Sequence, residues 1–195
     1  MKKILTDVDG CLLYWEEAFH RWMAQREQHP LDRRDTYYIH EMYPSMSQQQ
    51  AVYTMTEFSN SSWIGFLDPL RDAVTGVSAL VEQGYTFDII TSLSTDPNTT
   101  QLRTMNLATH FGASTFNQYA YLAQGASKEA ALAPYAGTGY YWIEDKPENA
   151  EAGLQFGLQP ILIDHPHNQW YDHPQIPRVQ NWAEIADIIL NSKTL

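Results

Sequence analysis

The sequence predicts an α/β fold with a doubly wound parallel sheet, and three observations support this prediction. Short apolar segments rich in β-branched and aromatic residues alternate with stretches of helical period along most of the 195 residues. Three of the apolar segments end in acidic or hydroxyl side chains, as expected where strands run toward one common edge. One long segment interrupts the alternation directly after the first strand. This order is typical of parallel strands joined by crossover helices.

The elements of the predicted core follow one another in a regular order. Apolar residues at spacings of three and four predict a helix that begins at Pro69 and ends at Gly84, where glycine is a favoured C-cap. The predicted strands are Lys3–Thr6, Tyr85–Ile90, a short one near Ala113–Phe116, Tyr140–Ile143 and Pro160–Ile163. The other predicted helices are 97–109, Lys128–Ala133, Glu148–Gly153 and Trp182–Leu190.

Residues 14–69 do not fit the alternation, and they are too many for an ordinary loop. Apolar residues from Leu12 to about Gln28 recur at helical spacing until Pro30 breaks the pattern. A second helix is predicted over Ser47–Glu57. We therefore predict a small, mostly helical cap subdomain at 14–69, inserted into an α/β core domain of residues 1–13 and 70–195.

Charge and cysteine content limit the possible partners. The formal net charge is −11, and no basic stripe is visible, which disfavours binding to nucleic acid polymers or anionic membranes. A phosphorylated small substrate would then need a local positive centre, such as a metal ion. The single cysteine, Cys11, excludes an intramolecular disulfide and a cysteine zinc cluster.

The location of the protein is predicted from hydropathy. No apolar run approaches the roughly 20 residues that span a bilayer. The N-terminal segment 1–10 is interrupted by Asp7 and Asp9, so we interpret it as a first strand and not as a signal peptide. A cytoplasmic protein is expected.

Polar side chains follow three of the predicted strands at the point where each strand ends. They are Asp7 and Asp9, Thr91 and Ser92, and Glu144 and Asp145. Gly10 lets the backbone leave strand geometry, so that both aspartates of the first pair can turn into one crevice. Clustered carboxylates without cysteine or histidine partners favour Mg²⁺, which prefers hard oxygen ligands.

These segments resemble the four motifs of the haloacid dehalogenase (HAD) superfamily, and the resemblance covers nearly the whole chain. The matching segments are Ile4-Leu5-Thr6-Asp7-Val8-Asp9-Gly10, Asp88-Ile89-Ile90-Thr91, Lys128 in Gly125-Ala126-Ser127-Lys128-Glu129, and Trp142-Ile143-Glu144-Asp145. The resemblance implies a Rossmann-like core and a Mg²⁺-dependent phosphomonoesterase. The third motif depends on one lysine.

The resemblance also implies roles for individual residues. Asp7 would be the nucleophile that forms an aspartyl-phosphate, and Asp9 would be the general acid and then the general base. Lys128 would neutralise Asp7 and the phosphoryl oxygens. Thr91 would bind the phosphoryl group, with Ser92 as a further substrate-binding candidate.

The metal ligands implied by the resemblance are Asp7, the backbone carbonyl of Asp9, and Asp145. Whether Glu144 or Asn149 joins Asp145 at the metal is left open by the sequence. Glu144 is retained as a candidate ligand because it belongs to the same acidic pair.

A narrower resemblance concerns the substrate. The insertion after the first motif and the tail segments Ile161–Asn168 and Arg178–Trp182 look like the 5'(3')-deoxyribonucleotidase group, which removes phosphate from deoxynucleoside monophosphates. In that group, aromatic side chains of the cap stack on the base. The corresponding candidates here are Trp15 and Phe19, with Tyr43, Phe58 and Trp63 in the same segment. Aromatic residues at helical spacing are also typical of a cap core.

Two rival functions stay open. One is a phosphatase for another small metabolite, such as a sugar phosphate, because a cap of this size closes over any small substrate. The other is a non-catalytic module that binds a phosphorylated ligand on the same fold. The histidine-rich loop 165–173 is interpreted as a solvated loop, and the sequence does not predict the oligomeric state.

Overall fold

The computed structural model describes residues 2–31 and 35–191. In these ranges six strands form one sheet: β1 (Lys3–Thr6), β2 (Thr86–Ser92), β3 (Phe116–Leu122), β4 (Tyr141–Glu144), β5 (Gln159–Ile163) and β6 (Arg178–Val179). The strand order is β3-β2-β1-β4-β5-β6, and every neighbouring pair is parallel. The predicted doubly wound parallel sheet is therefore confirmed.

Seven of the eight described α-helices occur in the chain between one strand and the next, and the eighth follows the last strand. They are α1 (Trp15–Ala24), α2 (Ile39–Met42), α3 (Gln48–Ser59), α4 (Ala73–Glu82), α5 (Pro97–Phe111), α6 (Glu129–Leu132), α7 (Pro147–Gln155) and α8 (Trp182–Asn191), with short 3-10 helices at Ser62–Phe66, Ala133–Tyr135 and Pro166–Asn168. Within the described part of the chain, no helix is both long and apolar enough to cross a membrane.

Both faces of the sheet are buried, because successive residues of its strands enter different hydrophobic clusters. Ile4 belongs to the large cluster, whereas Leu5, the next residue of β1, belongs to a second one. Ile89 and Ile90 of β2 divide in the same way. Alternate side chains of a strand point to opposite faces. Strands buried on both faces are typical of a parallel sheet covered by helices.

Helix α4 begins later than predicted, and the difference concerns the connection back to the core. The expected helix start at Pro69 is wrong, because this segment pairs with the loop after β1. The Leu70 amide donates to the Leu12 carbonyl at 2.7 Å, and Pro69 forms an antiparallel bridge with Leu13. The chain therefore enters and leaves the segment 14–69 at two neighbouring positions.

Two strands at the edges of the sheet also differ from the prediction. The strand expected near Ala113–Phe116 begins only at Phe116 and extends to Leu122, and β6 was not predicted. Most of β3 is exposed or half-buried, because it pairs on one side only, with β2. A half-exposed edge strand carries no continuous apolar run, so its periodicity is weak.

The helices of 14–69 pack around a group of aromatic rings. Phe19 is fully buried and contacts Trp22, Tyr43 and Phe58 at ring-centroid distances of 5.9, 6.0 and 5.5 Å. These residues belong to the same large cluster as Ile4 of the sheet. The division into cap and core domains stays a prediction.

Helix α8 is anchored beside the loop that follows β1. The Asp72 carboxylate accepts hydrogen bonds from the backbone amides of Trp182 and Ala183, both at 2.9 Å. The Trp182 indole donates to the Cys11 carbonyl at 2.8 Å. A Cβ atom on Gly76 would lie 2.4 Å from the Trp182 Cβ, so α4 and α8 approach closely only because residue 76 is glycine.

Candidate active site

The carboxyl ends of four strands meet at one cavity of about 430 Å³. Its lining includes Asp7 after β1, Thr91 on β2, Asp145 after β4 and His165 after β5. Ligands of open parallel sheets bind at this edge, in the crevice beyond the strand ends. The topology therefore brings together side chains that are far apart in the sequence.

Asp7 presents one bound and one unbound carboxylate oxygen. Its Oδ2 accepts from Lys128 Nζ at 2.8 Å, whereas Oδ1 is buried and accepts no hydrogen bond from the described residues. The residue is only 7% exposed. A buried carboxylate oxygen without a donor is costly, so its persistence indicates a ligand or a reactive role.

Lys128 is a buried ammonium between two carboxylates. It is 3% exposed, and its Nζ lies 2.5 Å from Glu144 Oε1 as well as 2.8 Å from Asp7 Oδ2. Burial alone would favour the neutral amine, but the negative charges of Asp7 and Glu144 raise the pKa of Lys128 above its ordinary value. The positive charge is therefore retained beside the proposed nucleophile.

Glu144 holds Lys128 in place instead of facing a metal site. Its Oε1 accepts from Lys128 and from Asn149 Nδ2, the latter at 2.9 Å. Its Oε2 accepts from the backbone amides of Asp145 and Lys146, both at 2.9 Å. Four donors occupy the four lone-pair positions of a carboxylate. The candidate role of Glu144 as a metal ligand does not fit this geometry. Asn149 uses only its Nδ2 here, so its role at the metal stays a prediction.

Asp7 and Asp145 form the group that fits a divalent cation. One ligand atom from each of Asp7, Cys11 and Asp145 lies within 4.8 Å of the others. Burial and the charges of Glu144 and Asp7 raise the pKa of Asp145 well above its usual range, which a nearby cation would reverse. Two buried carboxylates this close together fit Mg²⁺, which prefers hard oxygen ligands.

Cys11 does not change this assignment. Its thiol is fully buried, and burial together with the charges of Asp145 and Asp7 raises its pKa well above the usual range. Sulfur is a soft ligand, whereas a hard cation such as Mg²⁺ prefers the carboxylate oxygens of Asp7 and Asp145. The role of the Asp9 backbone carbonyl stays a prediction.

Asp9 lines the cavity and is bound by an arginine that the sequence analysis missed. Arg103 Nη1 donates to Asp9 Oδ1 at 2.5 Å, and the Arg103 side chain is fully buried. Burial raises the pKa of Asp9, and the Arg103 charge opposes this rise. One signal was available: Arg103 shares a buried face of α5 with Thr99, Asn106 and Leu107, at helical spacing.

Thr91 and Ser92 occupy the end of β2, and both line the cavity. Thr91 is 1% exposed. The Ser92 hydroxyl donates to the Ala126 carbonyl at 3.0 Å, which ties the end of β2 to the loop that leads to Lys128. Substrate contact by either hydroxyl stays a prediction.

Trp15 and Phe19 differ in position, although both were predicted to bind substrate. Trp15 lines the cavity, whereas fully buried Phe19 is absent from its lining among the described residues. Their rings stack with a centroid distance of 5.1 Å and an interplanar angle of 6°. Phe19 therefore supports Trp15 from the core side, and the predicted substrate contact by Phe19 does not fit its burial.

The loop after β5 reaches the cavity, so its interpretation as a solvated loop is wrong for His165 and His167. Both side chains line the cavity, and their rings stack with a centroid distance of 5.3 Å. His165 Nε2 donates to the Gly10 carbonyl at 2.7 Å. His167 Nε2 donates to the Asp145 carbonyl at 3.1 Å. The loop is held by Asn168, whose amide donates to the carbonyls of Asp145 and Ile163.

His165 is expected to stay neutral across the physiological pH range. Burial lowers its pKa to about 4. Because the folded pKa lies below the unfolded one, the contribution of His165 to stability is complete above about pH 6.5 and is lost as pH falls toward 4. The chemical shift of its Hε1 proton, assigned with a His165→Gln variant, should not titrate between pH 5.5 and 8. The same proton in urea-unfolded protein is the control; a folded-state midpoint near 6.5 would contradict the prediction.

Comparison with known proteins relates the fold to one group. No protein-family model and no curated protein matches the chain by sequence. A predicted phosphatase from Clostridium acetobutylicum shares 13% identity at a TM-score of 0.68, over 97% of this chain and 98% of that one. A haloacid dehalogenase-like hydrolase from Streptococcus pneumoniae shares 14% identity at a TM-score of 0.65, over 95% and 96%.

A third structure was determined with ligands. The D,D-heptose 1,7-bisphosphate phosphatase from B. bronchiseptica, complexed with magnesium and phosphate, shares 12% identity at a TM-score of 0.61, over 99% of this chain and 100% of that one. At such identities the likeness extends to the fold alone. The chain therefore has the fold of haloacid dehalogenase-like phosphatases. These structures do not show the narrower resemblance to deoxyribonucleotidases.

Proposed function

We propose that this protein is a Mg²⁺-dependent phosphomonoesterase that acts through an aspartyl-phosphate on Asp7. One observation carries the proposal. Asp7 Oδ1 is buried without a hydrogen-bond donor among the described residues, at a cavity wall, while the buried Lys128 ammonium holds Oδ2. A carboxylate that is anchored through one oxygen and free at the other is suited to nucleophilic attack.

The proposed reaction has two steps. Asp7 Oδ1 attacks phosphorus, the bond to the leaving oxygen breaks, and Asp9 donates a proton to that oxygen. Asp9 then takes a proton from water, which attacks the phosphorus of the aspartyl-phosphate and restores Asp7. Lys128 and the Thr91 hydroxyl would stabilise the phosphoryl oxygens. Mg²⁺, held by Asp7 and Asp145, would supply positive charge that offsets the phosphate charge.

The favoured substrate is a deoxynucleoside or nucleoside monophosphate. A cavity of about 430 Å³ suits a small ligand, and the net charge of −11 disfavours a nucleic acid polymer. Trp15 lines this cavity with its ring stacked on Phe19, so it is held in a fixed orientation that suits stacking on a base.

A sugar phosphate is the second candidate, and a different part of the cavity favours it. The half-buried residues Glu16 and Glu17 line the same cavity as Trp15. Carboxylates accept hydrogen bonds from hydroxyl groups, which a sugar supplies in larger number than a base does. The D,D-heptose bisphosphate phosphatase with this fold acts on such a compound, as its name states.

The first experiment is phosphate release from a panel of deoxynucleoside and nucleoside monophosphates, sugar phosphates and p-nitrophenyl phosphate, with Mg²⁺ and with a chelator. We expect activity that the chelator abolishes, because Asp7 and Asp145 require a cation between them. The highest kcat/KM is expected for deoxynucleotides. Activity on sugar phosphates alone would support the phosphatase mechanism and contradict the proposal of a nucleotide substrate. No hydrolysis of any ester would favour a non-catalytic phosphate-binding module.

Two alanine variants in the same panel test the base contact. Trp15→Ala should lower kcat/KM for nucleotides roughly 10-fold, the order expected for loss of one stacking contact. Activity toward p-nitrophenyl phosphate should fall less. Tyr53→Ala is the matched control, because Tyr53 is 65% exposed and lies on α3 away from the cavity lining.

A further inference from the structure

We propose that Arg103 is a positioning residue, which holds the Asp9 carboxylate where it can exchange a proton with the leaving oxygen. The inference rests on the proposed function and adds a residue that none of the four sequence motifs contains. Arg103 Nη1 donates to Asp9 Oδ1 at 2.5 Å. Asp9 lines the cavity, and its side chain is 24% exposed. The pair therefore has one buried end, Arg103, and one end at the cavity, Asp9.

The hydrogen bonds of Arg103 argue against a purely stabilising role. Its side chain is fully buried, yet Nε and Nη2 have no hydrogen-bond partner among the described residues. Three of the five guanidinium N–H groups are therefore unsatisfied. A buried charge with unsatisfied donors costs stability, and an apolar residue of similar size would fill the site at lower cost. What the arginine supplies is one directed bond to Asp9.

The position of the guanidinium is set by a helix that is tied down along its length. Asp96 caps the first turn of helix α5, where its carboxylate accepts from the Thr99 backbone amide at 2.9 Å. Farther along, the Asn106 amide group donates to the Leu67 carbonyl at 3.0 Å. Arg103 lies between these two attachments. Helix α5 is therefore fixed in place, and the hydrogen bond from Arg103 restrains the Asp9 carboxylate in the loop after β1.

Asp9 needs such a restraint because a competing cation is near. Lys128 lines the same cavity as Asp9, although Lys128 is paired with Asp7 and Glu144. Asp9 also precedes Gly10, whose φ of +75° marks a sharp turn. Without Arg103, the Asp9 side chain would be free to rotate toward the ammonium. Arg103 keeps the Asp9 carboxylate away from the Lys128 ammonium, so that Lys128 stays paired with Asp7.

The test compares two esters that differ in their need for proton donation. The p-nitrophenolate leaving group is a stable anion, whereas the alkoxide from a simple alkyl phosphate must be protonated as it leaves. The values of kcat/KM report the steps up to release of this group. Arg103→Met should lower kcat/KM for the alkyl phosphate by roughly 10²-fold, the order of a general acid contribution. For p-nitrophenyl phosphate the loss should be only a few-fold.

Three further variants identify the route through Asp9. Asp9→Asn should show the same dependence on the leaving group. Arg103→Met combined with Asp9→Asn should be no less active than Asp9→Asn alone, because a residue that acts only through Asp9 has no effect once Asp9 cannot transfer a proton. Arg103→Lys should recover part of the activity on the alkyl ester, since it retains a donor and a charge.

The outcomes separate this inference from the proposed function. Equal losses on both esters after Arg103→Met, or additive losses in the double variant, would overturn the positioning role while the phosphatase assignment stands. A wild-type protein inactive on both esters would overturn both. If Arg103→Met fails to fold, two other variants decide whether Arg103 acts through Asp9. They are Arg103→Lys and the double variant, which removes both charges of the pair. Thermal melting of each variant identifies folded protein.

Discussion

Asp7→Asn is expected to lower phosphate release by at least about 10⁴-fold, the order seen when a nucleophile is removed. The amide is nearly isosteric with the carboxylate but lacks its negative charge and nucleophilic oxygen. Asp7 Oδ1 accepts no hydrogen bond in the described part of the fold, so the substitution removes none at this atom. Initial rates on the best substrate of the panel, at saturating Mg²⁺, measure the loss.

The fold of this variant should persist. Lys128 keeps its bond to Glu144 at 2.5 Å, so removal of the Asp7 charge does not leave the buried ammonium unpaired. Wild-type protein quenched in acid during turnover should carry phosphate on the peptide that contains Asp7, and the variant should not, as detected by mass spectrometry. A variant with more than a tenth of wild-type activity would overturn the covalent mechanism.

Lys128→Met is expected to abolish activity and to lower the free energy of unfolding by about 3–5 kcal/mol. The side chain is buried, and the two carboxylates that it contacts, those of Asp7 and Glu144, are buried as well. Methionine fills a similar volume but leaves both acids without their cation. Chemical denaturation at pH 7 measures the stability, and the phosphate-release assay measures activity.

A second substitution separates the structural role of Lys128 from its catalytic one. In Lys128→Met combined with Glu144→Gln, one of the two buried charges is removed, so part of the lost stability should return. Activity should not return, because Asp7 still lacks the ammonium at its Oδ2. Recovery of both properties would show that Lys128 acts only on the fold. Unchanged stability in Lys128→Met alone would contradict the bridging role seen in the structure.

The core of the fold and several site residues could be predicted from the sequence because they depend on local patterns. The apolar strands β1, β2 and β4 are visible as short runs, and each ends in polar residues. Parallel topology then requires these ends to share one edge, whatever the loop conformations are. Asp7, Thr91 and Asp145 could therefore be assigned to one cavity, whereas location in the cytoplasm and the cap division stay predictions.

Only the tertiary structure shows which polar groups of the site form hydrogen bonds with each other. Arg103 lies in a helix whose sequence does not show which strand-end loop it faces, and its bond to Asp9 spans 94 residues. The His165 ring reaches the Gly10 carbonyl across 155 residues. Glu144 and Asp145 are adjacent and chemically alike, yet one binds Lys128 and backbone amides while the other faces Asp7.

The physical reason is that periodicity specifies which face of an element is buried, but not what that face meets. Trp15 and Phe19 share one apolar stripe of α1, and both rings contact Phe58. Only the tertiary packing adds Tyr43 beside Phe19, which is enclosed, while Trp15 borders the cavity. The sequence by itself determined the parallel sheet and the residues at its carboxyl edge. The tertiary structure decided which of these residues are free to act and which hold the others in place.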